Sequence, residues 1–428
     1  MLQSLIANIK EEYKAHSSLE KLFLLFMMFC SFTITAEAAI TRSVSNSCFL
    51  GMYSSKIFPY AWLASLPLNY FIVAFYNKFI QKFGCRNMMG LVLLFTLTFN
   101  FYCVFFLKSI YVLPFFLYLW KDIFIIFMFH NLWSVIHSTI KRDRAKYIYG
   151  IFYGIGGMGS VCGSLIPSFF AVSFGTEKLL LVTVPLYLIT YFSYSNALKA
   201  RTNVTNSQDL SLAIDSGNMK YGVSLIKNSK LLKFILFLVI AMQVSSTILE
   251  NQWNVLLKIN FPVLDLRTQF MGRFFGVVNF VNIFLQFFGS FILLKVIGLR
   301  STHALIPSVL LISVGMFFLI PNFWLICASF GMIKSLDYSI FGIVKEMLYI
   351  PLNVEQKFKA KAIIDVFAYR SSKALGSLLI LGLGFVYGDN ITSFLTFSVI
   401  CVFILWMYFV FSMKETFDQI ENGDQVIS

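Results

Sequence analysis

Lys345, Glu346, Asp365, Arg370 and Lys373 fall in one run, KEMLYIPLNVEQKFKAKAIIDVFAYRSSKALGS (345–377), of a chain whose other long segments are nearly all apolar. At a bilayer midplane each ionised group costs roughly 2.5 to 3.5 kcal/mol, so such residues either pair with one another or line a polar cavity. Further charges interrupt other apolar stretches: Glu37 and Arg42, Lys121 and Asp122, Glu250, Lys334 and Asp337. Facing a common cavity, the cations would hold a polyanion, and the carboxylates would pair with them when it is absent. Facing each other, they would only fix helix packing. Lys373 is the best placed for a phosphate: it is a compact point charge flanked by the small residues Ser371, Ser372, Ala374, Gly376 and Ser377. Arg370, about one helical turn earlier, shares its face and would fork onto a second oxygen. Glu37, Asp337, Lys345 and Asp365 suit coupling or gating.

Placing these groups in lipid requires spans. The sequence is 58% hydrophobic and 13% charged, with mean hydropathy +0.77, which excludes a soluble domain averaging about 25% charged. A span takes about 20 apolar residues, and about twelve such segments start near Lys21, Lys56, Asn87, Tyr111, Ala145, Lys178, Leu231, Thr268, Ser301, Asn322, Lys361 and Ile391. Backbone in lipid must satisfy its own hydrogen bonds, and no period-two pattern appears, so the expected fold is an all-α polytopic membrane protein. About twelve helices in two six-helix halves make it major-facilitator-like. The halves are expected at 1–199 and 231–428, joined by a linker at 200–230 that contains TNVTNSQDLSLAIDSGN.

Basic residues alternate between breaks: Lys78, Lys82 and Arg86; Lys141, Arg142, Arg144 and Lys146; Lys199 and Arg201; Lys295 and Arg300; Lys357 and Lys359. The positive-inside rule then puts both termini and the linker in the cytoplasm. That topology accounts for most of the net charge of +14, so nucleic acid is not an expected partner, and no protein partner is evident. The acidic residues in IKEEYKAHSSLEK fit neither a signal nor a transit peptide, so the first span is expected to anchor the chain in a bacterial inner membrane.

Enzyme chemistry finds little support. Seven cysteines are dispersed without a C-x-x-C pair, His16, His130, His137 and His303 form no metal motif, and no cofactor is implied. Gly154, Gly156 and Gly159 spell G-x-G-x-x-G, but no strand precedes them, and glycines in a span serve close helix packing. A phosphate-cradling G-x-x-x-x-G-K-[ST] is absent from the sequence, so bound ATP could not drive transport by hydrolysis. Tyr53, Tyr60, Trp62, Trp133, Tyr149 and Trp253 could stack on a base, although most must be core or interface residues.

The order KEM-x-Y-I-P-L (345–352), K-x-K-x-K (357–361), A-x-I-D-V (362–366) and Lys373 before small residues resembles the late region of the ATP/ADP translocases of plastids and intracellular bacterial energy parasites. The similarity covers about thirty positions closely and most of the chain more weakly. D-R-A-K-x-x-Y-G (143–150) is similar to the family's fifth span. The resemblance implies a nucleotide carrier for ATP and ADP in a lipid bilayer, with Lys373 implicated in transport. It also carries a functional glutamate to Glu250 of an E-x-x-W segment ending at Trp253, and it places Asp122 where the family has Glu in an E-L-W-like stretch. Arg42 stands at the arginine of an L-R-D-x-K-D-like motif, but Ser45 stands where its lysine belongs. In the tenth span a family Y-S-x-F-D-P becomes Tyr338-Ser339-Ile340-Phe341-Gly342-Ile343, losing the acid and the helix-breaking proline.

Three functions stay open on these residues. The first is exchange of ATP for ADP by alternating access, with Lys373, Arg370, Glu250, Asp122, Lys121 and Arg42 binding substrate. The second is a carrier of another anionic metabolite or cofactor, or a proton-coupled importer working through Glu37 or Glu250, which the loss of the lysine at Ser45 favours. The third is a membrane sensor without a transport cycle. The lysines of KFKAK either obey the positive-inside rule or draw anions to the cytoplasmic mouth.

Overall fold

A computed structural model describes residues 18–139, 145–200, 219–353, 360–388 and 391–422. Lys141, Arg142, Arg144, Arg201, Lys357 and Lys359, residues 201–218 of the expected linker and the stretch before Ser18 lie outside them. The described chain is helical and has no strand. Eleven helices are long and apolar enough to cross a membrane. In chain order these are α1 (Ser18–Met52), α2 (Ser55–Ile80), α3 (Lys82–Phe106), α4 (Leu113–His137), α5 (Gly150–Phe174) and α6 (Glu177–Lys199). They continue as α7 (Lys230–Asn260), α8 (Leu264–Gly289), α9 (Ile292–Leu319) and α10 (Phe323–Leu348). Before the last of them, α12 (Ile391–Ser412), comes α11, a π-helical stretch Ala362–Ala368 running into the α-helix Tyr369–Tyr387. Asp365, Arg370 and Lys373 lower the mean hydropathy of α11 below that of the other eleven.

Burial sorts the helices by threes. Across the most apolar stretch of each span, α1, α4, α7 and α10 have 61, 50, 78 and 56% of residues buried, whereas the other seven have 29 to 44%. Glu37 and Arg42 are on α1, Lys121 and Asp122 on α4, Glu250 on α7, and Lys334 and Asp337 on α10. These seven charges thus sit on the helices least exposed to lipid, whereas the buried Arg267 is on α8.

Two glycines divide helical runs at matching places. Gly84 (φ 75°, ψ 160°) breaks α3 near its start, and Gly298 (φ 82°, ψ 171°) breaks α9 near its start. A side chain at such a positive φ would clash, so glycine is required. Each opens a Gly-x-Arg triplet, Gly84-Cys85-Arg86 and Gly298-Leu299-Arg300, and the two lie half a chain length apart. The same device after the second span of each half is what an internal repeat leaves behind.

The chain forms two compact units. The first contains 18–52, 68–200 and Pro262–Phe280, and the second contains Tyr53–Pro67, 219–261 and Val281 onward. Both are discontinuous because α2 divides at Pro67 and α8 divides after Phe280. In the first unit a core of Met27, Cys30, Ile34, Met89, Met128 and Phe152 joins α1 and α3–α5. The α1–α5 contact is tight: Thr35 Oγ1 donates to the Gly156 carbonyl at 2.7 Å, and a Cβ at Gly159 or Gly163 would overlap the backbone of Phe32 or Ala36. Gly156 and Gly159 of the G-x-G-x-x-G run therefore serve helix packing. In the second unit α7 begins at the N-cap Ser229, whose hydroxyl accepts from the Leu232 N–H at 3.3 Å. After Pro321, α10 begins at Asn322, which accepts from the Trp324 N–H at 2.8 Å.

Because the neighbour of Gly163 is backbone that cannot swing aside, Gly163→Leu is expected to cost about 3 kcal/mol or more. Gly150→Ala, with open space around its Cβ, should be neutral. Thermal unfolding in detergent checks this, and a fully stable Gly163→Leu protein would contradict the α1–α5 packing.

Candidate functional site

In the second unit two helices bring charge to Glu250 of α7. Its Oε2 pairs with Lys334 of α10 at 3.4 Å and with Lys373 of α11 at 3.8 Å. The Glu250 and Lys334 side chains are 12 and 14% exposed, and that of Lys373 is 32% exposed. Lys373 is therefore the most accessible of the three. The Lys373 ammonium lies 5.0 Å from the Trp62 ring centre, and Lys334 lies 5.5 Å from that of Phe330 and 5.9 Å from that of Tyr338. Aromatic faces hold a cation without neutralising it, so both lysines can respond to an incoming anion. Gly376 lets α11 approach α7, for a Cβ there would sit 3.0 Å from Thr247.

Asp337, one turn beyond Lys334, accepts from Gln243 Nε2 at 2.9 Å and from the Tyr369 hydroxyl at 3.5 Å. It opens a π-helical turn, Asp337–Phe341, whose Ser339 hydroxyl donates back to the Ser335 carbonyl. The tenth span thus keeps an irregularity although Gly342 and Ile343 replace the family's Asp-Pro. A second such turn, Ala362–Ala368, opens α11 around Asp365. π-Turns widen a helix by one residue and are frequent at functional sites.

Lys345 and Asp365 join the end of α10 to the start of α11 at 2.7 Å, Tyr349 donates to the same carboxylate at 3.4 Å, and Lys361 pairs with Glu346. Burial and the Asp365 and Glu346 charges push the Tyr349 phenol up, so it stays a neutral donor. This charge cluster is internally paired. Arg370 makes no ion pair with a described residue, and its side chain is half-buried.

The other expected residues belong to the first unit. Lys121 pairs with the adjacent Asp122 at 2.9 Å and lies 4.1 Å from the Tyr118 ring centre, so this pair largely answers itself. Arg42 stacks its guanidinium 5.2 Å from the Phe275 ring, and the Ser45 hydroxyl donates to the Arg42 carbonyl at 3.3 Å. Glu37 is buried, and its Oε1 accepts from Thr41 at 2.6 Å and from the Tyr187 hydroxyl at 2.7 Å, which in turn accepts from Asn100 at 2.7 Å. Its Oε2 has no partner among the described residues. Gln243 and Tyr369 were missed as partners of Asp337. Gln243 lies seven residues before Glu250, two turns along one face of α7, and that spacing was the available signal. Among the described residues no group of His, Cys, Asp and Glu could hold a metal, and all seven cysteines are free thiols.

A helical membrane protein of about twelve spans, with ionisable side chains buried inside several of them, has the build of a carrier. The model of the TLC ATP/ADP transporter family matches residues 109–417, and the chain belongs to that family, which is one of transporters rather than enzymes. ADP,ATP carrier protein 1 of Chlamydia pneumoniae is 25% identical over 341 residues, covering 70% of this chain and 65% of that protein. ADP,ATP carrier protein 1 of Rickettsia bellii is 25% identical over 353 residues, covering 72 and 68%. The chain thus spans about two thirds of the length of these relatives. Among solved structures, nucleoside transporter NupG superposes with TM-score 0.62 at 10% identity over 93% of this chain and 99% of its own. A bacterial homologue of the iron transporter ferroportin gives 0.62 at 12% identity over 91 and 100%. These likenesses establish a major-facilitator-like fold.

Removing one partner of a buried ion pair costs about 3 to 5 kcal/mol. Glu250→Gln, which strips two lysines of one carboxylate, should lower the unfolding midpoint more than Lys373→Gln, which leaves the Lys334 pair. Chemical unfolding in detergent measures both. Equal losses would show that Lys373 and Lys334 are held independently.

Proposed function

We propose that this protein is a nucleotide carrier exchanging ATP for ADP by alternating access, its two six-helix halves joined through 200–230. The observation that supports this most is the sharing of Glu250 Oε2 by Lys334 and Lys373. In this reading the polyphosphate displaces Glu250 and takes both ammonium groups, with Arg370 forking onto a further oxygen. When the substrate leaves, Glu250 returns to the lysines and the empty carrier can cycle. The family membership and the ADP,ATP carriers among its relatives support the cargo. Lys121, Asp122 and Arg42 would contribute from the first unit, while Asp337, Lys345 and Asp365 would control the π-turns of α10 and α11. The protein would sit in a bacterial inner membrane with both termini in the cytoplasm, as its basic breaks suggest.

A second reading rests on Ser45 and Glu37. Without the lysine at position 45, a less charged anion becomes the better cargo. Glu37, bonded only to hydroxyls among the described residues, could then carry a proton with it.

In proteoliposomes preloaded with labelled ATP, external ADP is expected to release the label, and Lys373→Ala should cut the rate by about tenfold or more, one charged hydrogen bond being worth about 1.5 to 3 kcal/mol. No release by any common nucleotide would sink the nucleotide reading. A requirement for a pH gradient, lost in Glu37→Gln, would favour the second.

A further inference from the structure

Outside the charge network, one neutral side chain meets α10 at its irregular turn. Gln286 belongs to a π-turn of α8, Leu285–Gly289, and its Nε2 donates at 2.9 Å to the Tyr338 carbonyl, inside the π-turn Asp337–Phe341 of α10. Both turns lie in the second unit. The helices run close there, for a Cβ at Gly289 would sit 3.8 Å from Ile340 Cδ1. Two π-turns on neighbouring helices are thus joined by a side-chain hydrogen bond.

The bond falls on the carbonyl that the turn deprives of its helical donor. In an unbroken α-helix the Gly342 N–H would donate to Tyr338, four residues back. Here it donates to the Ser339 carbonyl instead. Gln286 supplies a donor in its place, which favours the π form of α10 over the straight helix.

The register of that turn decides whether both ends of α10 hold their partners. Before it, Lys334 pairs with Glu250, and Asp337 accepts from Gln243, both of α7. After it, Lys345 pairs with Asp365 of α11 at 2.7 Å. Shedding the extra residue of a π-turn rotates everything beyond it by about 100° and moves it by about 1.5 Å. With Lys334 still on Glu250, Lys345 would then turn away from Asp365. We propose that Gln286 is a positioning residue of the carrier: it holds α10 in the register that keeps both pairs, and its release lets α10 straighten and separates Lys345 from Asp365 during the transport cycle. It acts through the α10 backbone rather than through contact with cargo. Its part in transport rests on the carrier reading, whereas the register does not.

A double-mutant cycle tests the register. Gln286→Met keeps the length and loses the donor, and Gln286→Glu keeps the shape and cannot donate when ionised. Gln286 is only half-buried, so both variants should fold. Lys345→Met should lower the unfolding midpoint of the wild type, and by less than about half as much in either Gln286 variant, because positions that share one network couple. In proteoliposomes both Gln286 variants should slow exchange at least about threefold, the size of one neutral hydrogen bond, while ADP affinity changes less than about twofold. Additive losses in the cycle, or exchange and affinity falling together, would overturn the proposal. Exchange absent from the wild type would instead sink the carrier reading, and the cycle would still decide the register.

Discussion

Charge inside a bilayer must be answered locally, and in the second unit of this protein the answer runs through one carboxylate. Glu250 accepts two lysines from two other helices on a single oxygen. That one interaction accounts for the close approach of α11 to α7 across Gly376, for the aromatic faces beneath both ammonium groups, and for the low hydropathy of α11. It is also an arrangement with a built-in alternative, since whatever replaces the carboxylate must itself be an anion with more than one acceptor. The proposed polyphosphate cargo is such an anion.

The two units handle charge differently. In the first, Lys121 pairs with its sequence neighbour Asp122, and Glu37 is held by neutral hydroxyls, one of them from Tyr187 of α6, rather than by a cation. In the second, the pairs connect separate helices, and two of the three helices that supply lysines and acids for them, α10 and α11, carry π-turns at Asp337 and around Asp365. A helix with one residue too many in a turn can shed it, and rotate everything beyond it, at modest cost. A further π-turn, Leu285–Gly289 in α8, carries no charge, but those of α10 and α11 fall within the charge network, where a substrate-driven change would act.

Much of the architecture was legible in the sequence because hydropathy reports directly on spans: eleven helices stand out by length and composition, and the twelfth is the polar run around Lys373. Helix ends were less legible. The expected start at Ser301 falls after the break at Gly298, where a positive φ joins a preceding helical segment that hydropathy does not separate. Of the site, residue types and helices were readable, as was the packing role of Gly156 and Gly159. The pairing of Glu250 with Lys334, or of Asp337 with Tyr369, depends on helix rotation and cannot be taken from spacing. Neither could the π-turn at Asp337, which persists without the proline that marks the corresponding place in the family.

The central claim is that substrate and Glu250 compete for the same two lysines. Equilibrium binding of ADP to detergent-solubilised wild type and Glu250→Gln tests it most directly. Competition predicts that the variant binds ADP more tightly, because its lysines no longer have to leave a carboxylate, even as exchange slows. Weaker or unchanged affinity in a folded Glu250→Gln protein would contradict it.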